Sequence, residues 1–183
     1  QHNLALVFPG QGCQFVGMGA DLAAAYPEAK ALYERADEVL GLRLSELCFQ
    51  GPEAELNDTA NTQPAIYVSA MALWVALAPR LQQALPRVAF VAGHSLGEFV
   101  ALAVAGAFAF EDGLKLVRCR GEAMRDAGRV SPGGMAAIIG LDDPALADVL
   151  AAANAGGAPG VWVANDNWPG QVVIAGQQAA LER

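Results

Sequence analysis

One stretch limits what this chain can become. Val88-Ala89-Phe90-Val91-Ala92 is a short apolar run that leads into Gly93-His94-Ser95-Leu96-Gly97. Glu98 follows, and then twelve residues, Phe99 to Phe110, without a charged or polar side chain. The pattern predicts strand, sharp turn, helix. G-x-S-x-G in that setting is a nucleophile elbow, and it commits the chain to an α/β architecture. The turn forces the serine into a strained backbone conformation, and the residues two before and two after it must be small for strand and helix to pass. The Ser95 oxygen then stands at a helix N-terminus. There the Leu96 N–H and the positive end of the helix dipole can hold a developing oxyanion. A glycine-rich turn with a capping serine is the competing reading of the same residues.

The rest of the composition narrows the field. The chain has 183 residues, enough for one sizeable core or a core with a small appendage. Hydrophobic residues make up 54% and mean hydropathy is +0.30. The longest uninterrupted apolar run, residues 99–110, is too short for a bilayer span of ~20 residues and predicts a buried helix, so no membrane partner is expected. No stretch reads as a signal peptide, and the first residue is Gln1 rather than Met. Net charge is −8 and basic residues are scattered, which argues against nucleic acid. Cys13, Cys48 and Cys119 show no paired spacing, as expected of free thiols in a reducing cytoplasm. With His2 and His94 the only histidines, a multi-histidine metal site is excluded.

Taken in order, Leu4 to Phe8 predicts a strand buried on both faces of a parallel sheet. It runs into Pro9-Gly10-Gln11-Gly12-Cys13-Gln14, a tight turn that leaves the Gln11 N–H accessible; without G-K-[ST] it is not a phosphate loop. Asp21–Ala25 predicts a short helix. Pro27 begins a longer one, with Ala29, Leu32, Tyr33, Ala36, Val39 and Leu40 at helical spacing and Gly41 as its stop. Residues 42–62 read as polar and irregular. Thr62-Gln63-Pro64 opens a central apolar helix to about Ala78, with Thr62 as its cap, and Pro79 and Pro86 bracket the connection that follows. Glu111-Asp112 open a helix to about Ala127.

Two arginines of that helix differ in their neighbours. Arg118 has Lys115, Glu122 and Arg125 around it, which predicts a solvated charged face. Arg120 has Leu116, Val117, Ala123 and Met124, and a guanidinium among apolar side chains must find an anion. That anion can be a substrate or an internal carboxylate. Beyond Ser131-Pro132-Gly133-Gly134, which reads as a hinge, the texture changes. Residues 135–141 predict a strand, 144–153 a helix, 161–164 a strand, 165–170 a turn, 171–175 a strand, and Gln177 onward a helix. That is β-α-β-β-α, most of a ferredoxin-like unit. The division expected is therefore a core over residues 1–130 and a subdomain over 131–183.

A serine nucleophile needs a base. His94 is adjacent in sequence, but side chains diverge at an elbow; His2 precedes the first strand. Either the base lies on residues outside this stretch, or the chain is not a complete enzyme. Here the motifs carry a resemblance. Phe8-Pro9-Gly10-Gln11-Gly12-Cys13-Gln14, Thr62-Gln63-Pro64-Ala65, Gly93-His94-Ser95-Leu96-Gly97-Glu98, Arg120-Gly121-Glu122-Ala123-Met124 and Pro169 to Gly176 together resemble the malonyl-CoA:acyl carrier protein transacylases, whose fold also serves as the acyltransferase domain of polyketide and fatty-acid synthases. The resemblance covers roughly the first three-fifths of such a domain. It implies an α/β-hydrolase-like core with a parallel sheet plus a small ferredoxin-like subdomain, both incomplete here, and a catalytic histidine beyond residue 183.

The resemblance also implies roles. Ser95 takes the acyl group as an ester, the N–H groups of Gln11 and Leu96 form the oxyanion hole, and Arg120 pairs with the malonyl carboxylate. Gln63, His94 and Met124 line the site, and Asn165 and Asn167 match a structural turn. Cys13 stands where the family usually has serine. Malonyl-CoA and an acyl carrier protein are the implied partners, with no cofactor, no metal, a monomeric state and fatty-acid synthesis as the setting. Polyketide synthesis is the alternative setting. An esterase of the α/β-hydrolase type and a non-catalytic domain that only docks a carrier protein are the rival readings. The resemblance further implies that residues 1–183 alone are nearly inactive.

Overall fold

A computed structural model describes residues 4–81, 87–155 and 160–183. The chain divides into two compact units, Gln1–Arg125 and Asp126–Arg183. The first begins with strand β1 (Leu4–Phe8), helices α1 (Ala20–Ala25) and α2 (Pro27–Leu40), and two short helices, α3 (Leu44–Gln50) and α4 (Glu53–Leu56). The long helix α5 (Thr59–Leu77) follows and runs into a 3₁₀ turn, Ala78–Leu81. Strand β2 (Val88–Gly93), helix α6 (Gly97–Val104) and helix α7 (Phe110–Val130) come next. Part of the connection between Pro79 and Pro86 lies outside the described residues, as does His2.

β1 and β2 pair in parallel, from Leu4 opposite Val88 to Phe8 opposite Gly93. Both strands end on one side, and the turns that leave them, Pro9–Gly12 and His94–Leu96, meet there. The expectation of a strand buried on both faces is not met: Val7 is 72% and Phe90 71% exposed, because the two-stranded sheet covers only part of its apolar surface. A groove of about 530 Å³ lies beside β1, lined by Val7, Phe15, Leu73, Trp74 and Leu77.

The core sits instead among helices. Ala29, Tyr33 and Ala36 of α2 pack on Ala65, Ile66, Val68 and Ala72 of α5, with Leu96 just before α6, Val100 of α6, and Leu114 and Val117 of α7 in the same cluster. By length and hydropathy Thr59–Leu81 could cross a bilayer, but eleven of the residues of α5 are buried in the protein, including Thr62 and Gln63.

Three local expectations are corrected. Residues 42–62 are not irregular: Leu44, Leu47, Cys48 and Leu56 enter the core, and burial stabilises α3 and α4, which are too short to show a period. α5 starts at Thr59, not Thr62. Asp58 caps it by accepting the Ala60 N–H at 2.8 Å, and Thr62 is an interior residue whose hydroxyl donates to Leu56 O at 2.5 Å and contacts Asp58 O at 3.0 Å. Pro64 lies inside α5, where it has no N–H to give the Ala60 carbonyl, and Arg118 donates to that carbonyl at 3.1 Å instead. The apolar run 99–110 is not one buried helix. α6 stops at Val104, Gly106 takes φ 78°, and the next helix starts at Phe110.

The second unit is an antiparallel sheet in the order β3-β5-β4, with β3 (Gly134–Ile139), β4 (Val161–Trp168) and β5 (Gln171–Gly176). Helices α8 (Asp143–Asn154) and α9 (Gln178–Leu181) accompany it. Leu146, Ala153, Val161, Val172, Ile174 and Ala180 form its buried cluster. The expected turn at 165–170 is shorter. Asn165, Asp166 and Asn167 continue β4, paired with β5 through two register irregularities that absorb these poor strand formers, and only Pro169-Gly170 turn.

Candidate active site

Ser95 is the one non-glycine residue among those described with positive φ, 53°. A serine pays for that conformation with strain, so its surroundings must hold it there. A Cβ on Gly97 would overlap Phe8 O and come within 2.8 Å of Pro9 O, and one on Gly93 would overlap the Gly97 carbonyl. The His94 N–H donates to Phe8 O at 3.0 Å, and the Gly97 and Glu98 N–H groups close the turn on His94 O and Ser95 O at 2.9 and 3.3 Å. The elbow is thereby stitched to the end of β1. The loop after β1 lies directly on it, since a Cβ on Gly10 would stand 2.7 Å from His94 O and 3.0 Å from its Nδ1. Gln11 is therefore next to the elbow.

Arg120 reaches the elbow from α7. Its Nη2 donates to Ser95 Oγ at 2.9 Å and its Nη1 to Gln63 Oε1 at 2.6 Å, while the guanidinium carbon lies 5.9 Å from the Phe99 ring centroid. The close approach of α7 to α5 makes this reach possible: a Cβ on Gly121 would be 2.6 Å from Thr59 O and 2.8 Å from the Ala60 Cα. Gln63 is fully buried, and its Nε2 donates to Thr59 Oγ1 at 3.1 Å and contacts Met124 Sδ at 3.2 Å. Thr59 in turn donates to Gln11 Oε1 at 2.9 Å. The structure thus brings Ser95, Arg120, Gln63, Met124 and Gln11 together.

Leu96 is buried and serves as the N-cap of α6. The imidazole of His94 lies against Gly10 and His94 is exposed. Asn165 and Asn167 belong to β4 in the second unit. Thr59 and Phe99 were not legible as site residues. Thr59 precedes Gln63 by one helical turn, and that spacing is the signal that could have found it.

The two arginines exchange part of their expected characters. Arg118 is not a solvated residue: its side chain is 23% exposed, and it donates to Glu122 at 2.7 Å, Asn61 Oδ1 at 2.8 Å and Ala60 O at 3.1 Å. Arg118 braces α7 against the start of α5. Of the apolar neighbours of Arg120, Leu116 and Met124 are exposed, and the guanidinium is half-buried, with amide and hydroxyl partners. A guanidinium only donates, so Arg120 leaves the Ser95 proton for another group to take. Cys13 is exposed, and desolvation pushes its thiol up against a smaller opposing effect of a backbone hydrogen bond. It stays protonated near neutrality and is a weak competitor for an electrophile. Cys48 is buried and pushed up to about 12 by that burial. Among the described residues no three His, Cys, Asp or Glu side chains gather to hold a metal.

Comparison with known proteins meets this geometry from outside. Residues 5–183 match the acyl transferase domain model. The chain belongs to the acyl transferase domain family. Within it, the malonyl CoA-acyl carrier protein transacylase of Haemophilus influenzae is 46% identical over 181 residues, 99% of this chain and 57% of that protein. The crystal structure of a malonyl-CoA:acyl carrier protein transacylase from Xanthomonas oryzae pv. oryzae superposes with a TM-score of 0.89 at 41% identity, covering all of this chain and 56% of that one. A malonyl-transacylase solved in complex with a type II polyketide-synthase acyl carrier protein gives 0.86 at 42%, covering 97% and 56%. This acyl transferase domain chain spans a little over half the length of the relatives it matches. Its mixed α/β architecture, one parallel and one antiparallel sheet, is that of the transacylase fold.

Proposed function

We propose that this chain carries the nucleophile and the substrate clamp of an acyltransferase that moves a malonyl group from coenzyme A to the phosphopantetheine thiol of an acyl carrier protein. The observation that carries the reading is the double donation of Arg120, to Ser95 Oγ at 2.9 Å and to Gln63 Oε1 at 2.6 Å. A malonyl ester on Ser95 has its free carboxylate two carbon–carbon bonds beyond the ester carbon, within reach of a guanidinium that already touches Oγ. The carboxylate is a stronger partner for Arg120 than the hydroxyl it replaces.

Ser95 Oγ attacks the thioester carbonyl and gives up its proton. The tetrahedral oxyanion is held by the Leu96 and Gln11 N–H groups at the N-terminus of α6. The carbon–sulfur bond then breaks and coenzyme A leaves as the thiol. In the second half the carrier's thiol attacks the ester, and the oxygen recovers its proton. The base is a histidine in the part of such domains that this chain does not span, as the resemblance implies. On this reading residues 1–130 are an α/β-hydrolase-like core and 131–183 a ferredoxin-like subdomain of a soluble, cytoplasmic, monomeric protein.

Fatty-acid synthesis is the pathway this reading assigns. A polyketide setting is the second reading, favoured by the relative solved with a type II polyketide carrier. A simple esterase is disfavoured because a neutral ester offers Arg120 no carboxylate.

The test is made on a full-length protein containing this chain. Incubation with malonyl-CoA should leave a malonyl ester on Ser95, read by peptide mass spectrometry and abolished by Ser95→Ala. A label on Cys13 or Cys119 instead overturns the proposal. Arg120→Ala should cost about 2–5 kcal/mol in malonyl transfer and little in acetyl transfer, and equal losses would make Arg120 structural.

A further inference from the structure

We infer that Thr59 is a positioning residue that couples the Arg120 clamp to the Gln11 turn; the inference rests on the roles just proposed for Arg120 and Gln11. The direction of the hydrogen-bond chain is set from the arginine end. Arg120 has donors only, so the group that meets Nη1 at 2.6 Å must be the Gln63 carbonyl oxygen, Oε1. That sets the amide, and its Nε2 then faces Thr59 Oγ1 at 3.1 Å and Met124 Sδ at 3.2 Å. Thr59 Oγ1 accepts there, so its own hydrogen is free to go onward, and it goes to Gln11 Oε1 at 2.9 Å. Gln63 is fully buried, and flipping its amide would bring two N–H groups against a guanidinium. A side chain that both accepts from Gln63 and donates to Gln11 needs a hydroxyl, and Thr59 supplies it.

The two ends of this relay do different work. At one end Gln63 orients the guanidinium that meets the substrate carboxylate. At the other, Gln11 is the residue whose N–H faces the oxyanion. The turn has a separate tie, in which Gln14 accepts from the Gly12 N–H and donates to Asn57 Oδ1, each at 2.8 Å. Loss of the Thr59 hydroxyl therefore loosens the Gln11 side chain without releasing the whole loop. Thr59 is thus a point through which substrate choice and transition-state stabilisation are adjusted together.

The experiment compares Thr59→Val, Thr59→Ser and Arg120→Ala in the full-length protein, with single-turnover acylation by malonyl-CoA and by acetyl-CoA and a melting curve for each. Thr59→Val keeps the volume and removes the hydroxyl. The expected result is a loss of about tenfold in the acylation rate with both substrates, together with a reduced malonyl-over-acetyl preference, and Thr59→Ser restores both. Arg120→Ala lowers the malonyl rate far more than the acetyl rate. Thr59→Val added to Arg120→Ala still lowers the acetyl rate, because the Gln11 end does not pass through the arginine. Should Thr59→Val fail to fold, Gln11→Leu removes the acceptor from the other end and is expected to lower both rates in the same way. Acylation by Thr59→Val within twofold of the parent, or Thr59→Ser as impaired as Thr59→Val, overturns the inference while leaving the roles of Ser95 and Arg120 intact. Arg120→Ala with an unchanged malonyl preference overturns the clamp itself, and Thr59 as its positioning residue with it.

Discussion

Among its described residues the first unit buries two polar side chains completely, Thr62 and Gln63, whereas the buried cluster of the second unit, Leu146, Ala153, Val161, Val172, Ile174 and Ala180, is apolar throughout. The two buried polar residues are themselves unlike. The Thr62 hydroxyl is satisfied by Leu56 O and Asp58 O, backbone groups at the start of its own helix, and it serves the fold. Gln63 is satisfied by Arg120, Thr59 and Met124, side chains of the site. A helical core could fill the Gln63 position with leucine at less cost in desolvation. An amide is buried there because a guanidinium needs an oriented acceptor. In the second unit the small cluster under β3, β5 and β4 has no such demand placed on it, and packing alone shapes it.

The largest effect expected is at the point where the first unit is tightest. Gly97→Ala puts a methyl group into Phe8 O, so β1 and the elbow must separate. Displacement of Ser95 by an ångström should reduce acylation of the full-length protein by about 10²-fold or more. Acylation by Gly97→Ala near the parent rate would mean that the tight passage is not what holds the serine. The next pair sets one unit against the other. Ile174→Ala should destabilise by about 2–5 kcal/mol in urea unfolding, because it empties a site in a cluster too small to collapse around the gap. Gln63→Leu should leave stability within about 1 kcal/mol, since Arg120 is half-exposed and can turn to water, while malonyl preference falls. The reverse pattern, with stability lost at Gln63 and kept at Ile174, would break the comparison.

The smallest effect concerns a surface charge of the first unit. The Arg35 guanidinium donates to Glu111 at 2.9 Å and, as the largest cause, holds its carboxyl below the usual 4.5. A carboxyl with a lowered folded value contributes stability above its unfolded value and loses it as pH falls through the lowered one. Glu111→Gln should therefore lower the melting temperature slightly at neutral pH. The difference should vanish in acid, once the parent carboxyl is protonated. A difference that persists in acid would show that the effect does not come from the ion pair.

Much of the fold was legible because its signals are local. Gly41 stops α2 in the left-handed conformation at φ 63°, and the apolar runs at 4–8 and 88–92 became the paired strands. The irregular reading of 42–62 failed because α3 and α4 are held by burial rather than by a period. The turn read at 165–167 failed because pairing with β5 overrode the poor strand propensity of Asn and Asp.

The sequence by itself determined the elbow. The steric limits around Ser95 are set by residues within a few positions of it, and only glycine meets them at 93 and 97. It also singled out Arg120 as a guanidinium in need of a partner. What that partner is, and which arginine of α7 braces and which one reaches, only the tertiary structure decided. Arg118 and Arg120 lie two residues apart on one helix and so point to different faces; the close approach of α5 allowed by Gly121 gives one of them Asn61 and the Ala60 carbonyl, and the other Gln63. The relay through Thr59 to Gln11 joins residues 48 positions apart in the chain, and no local rule of sequence carries that information.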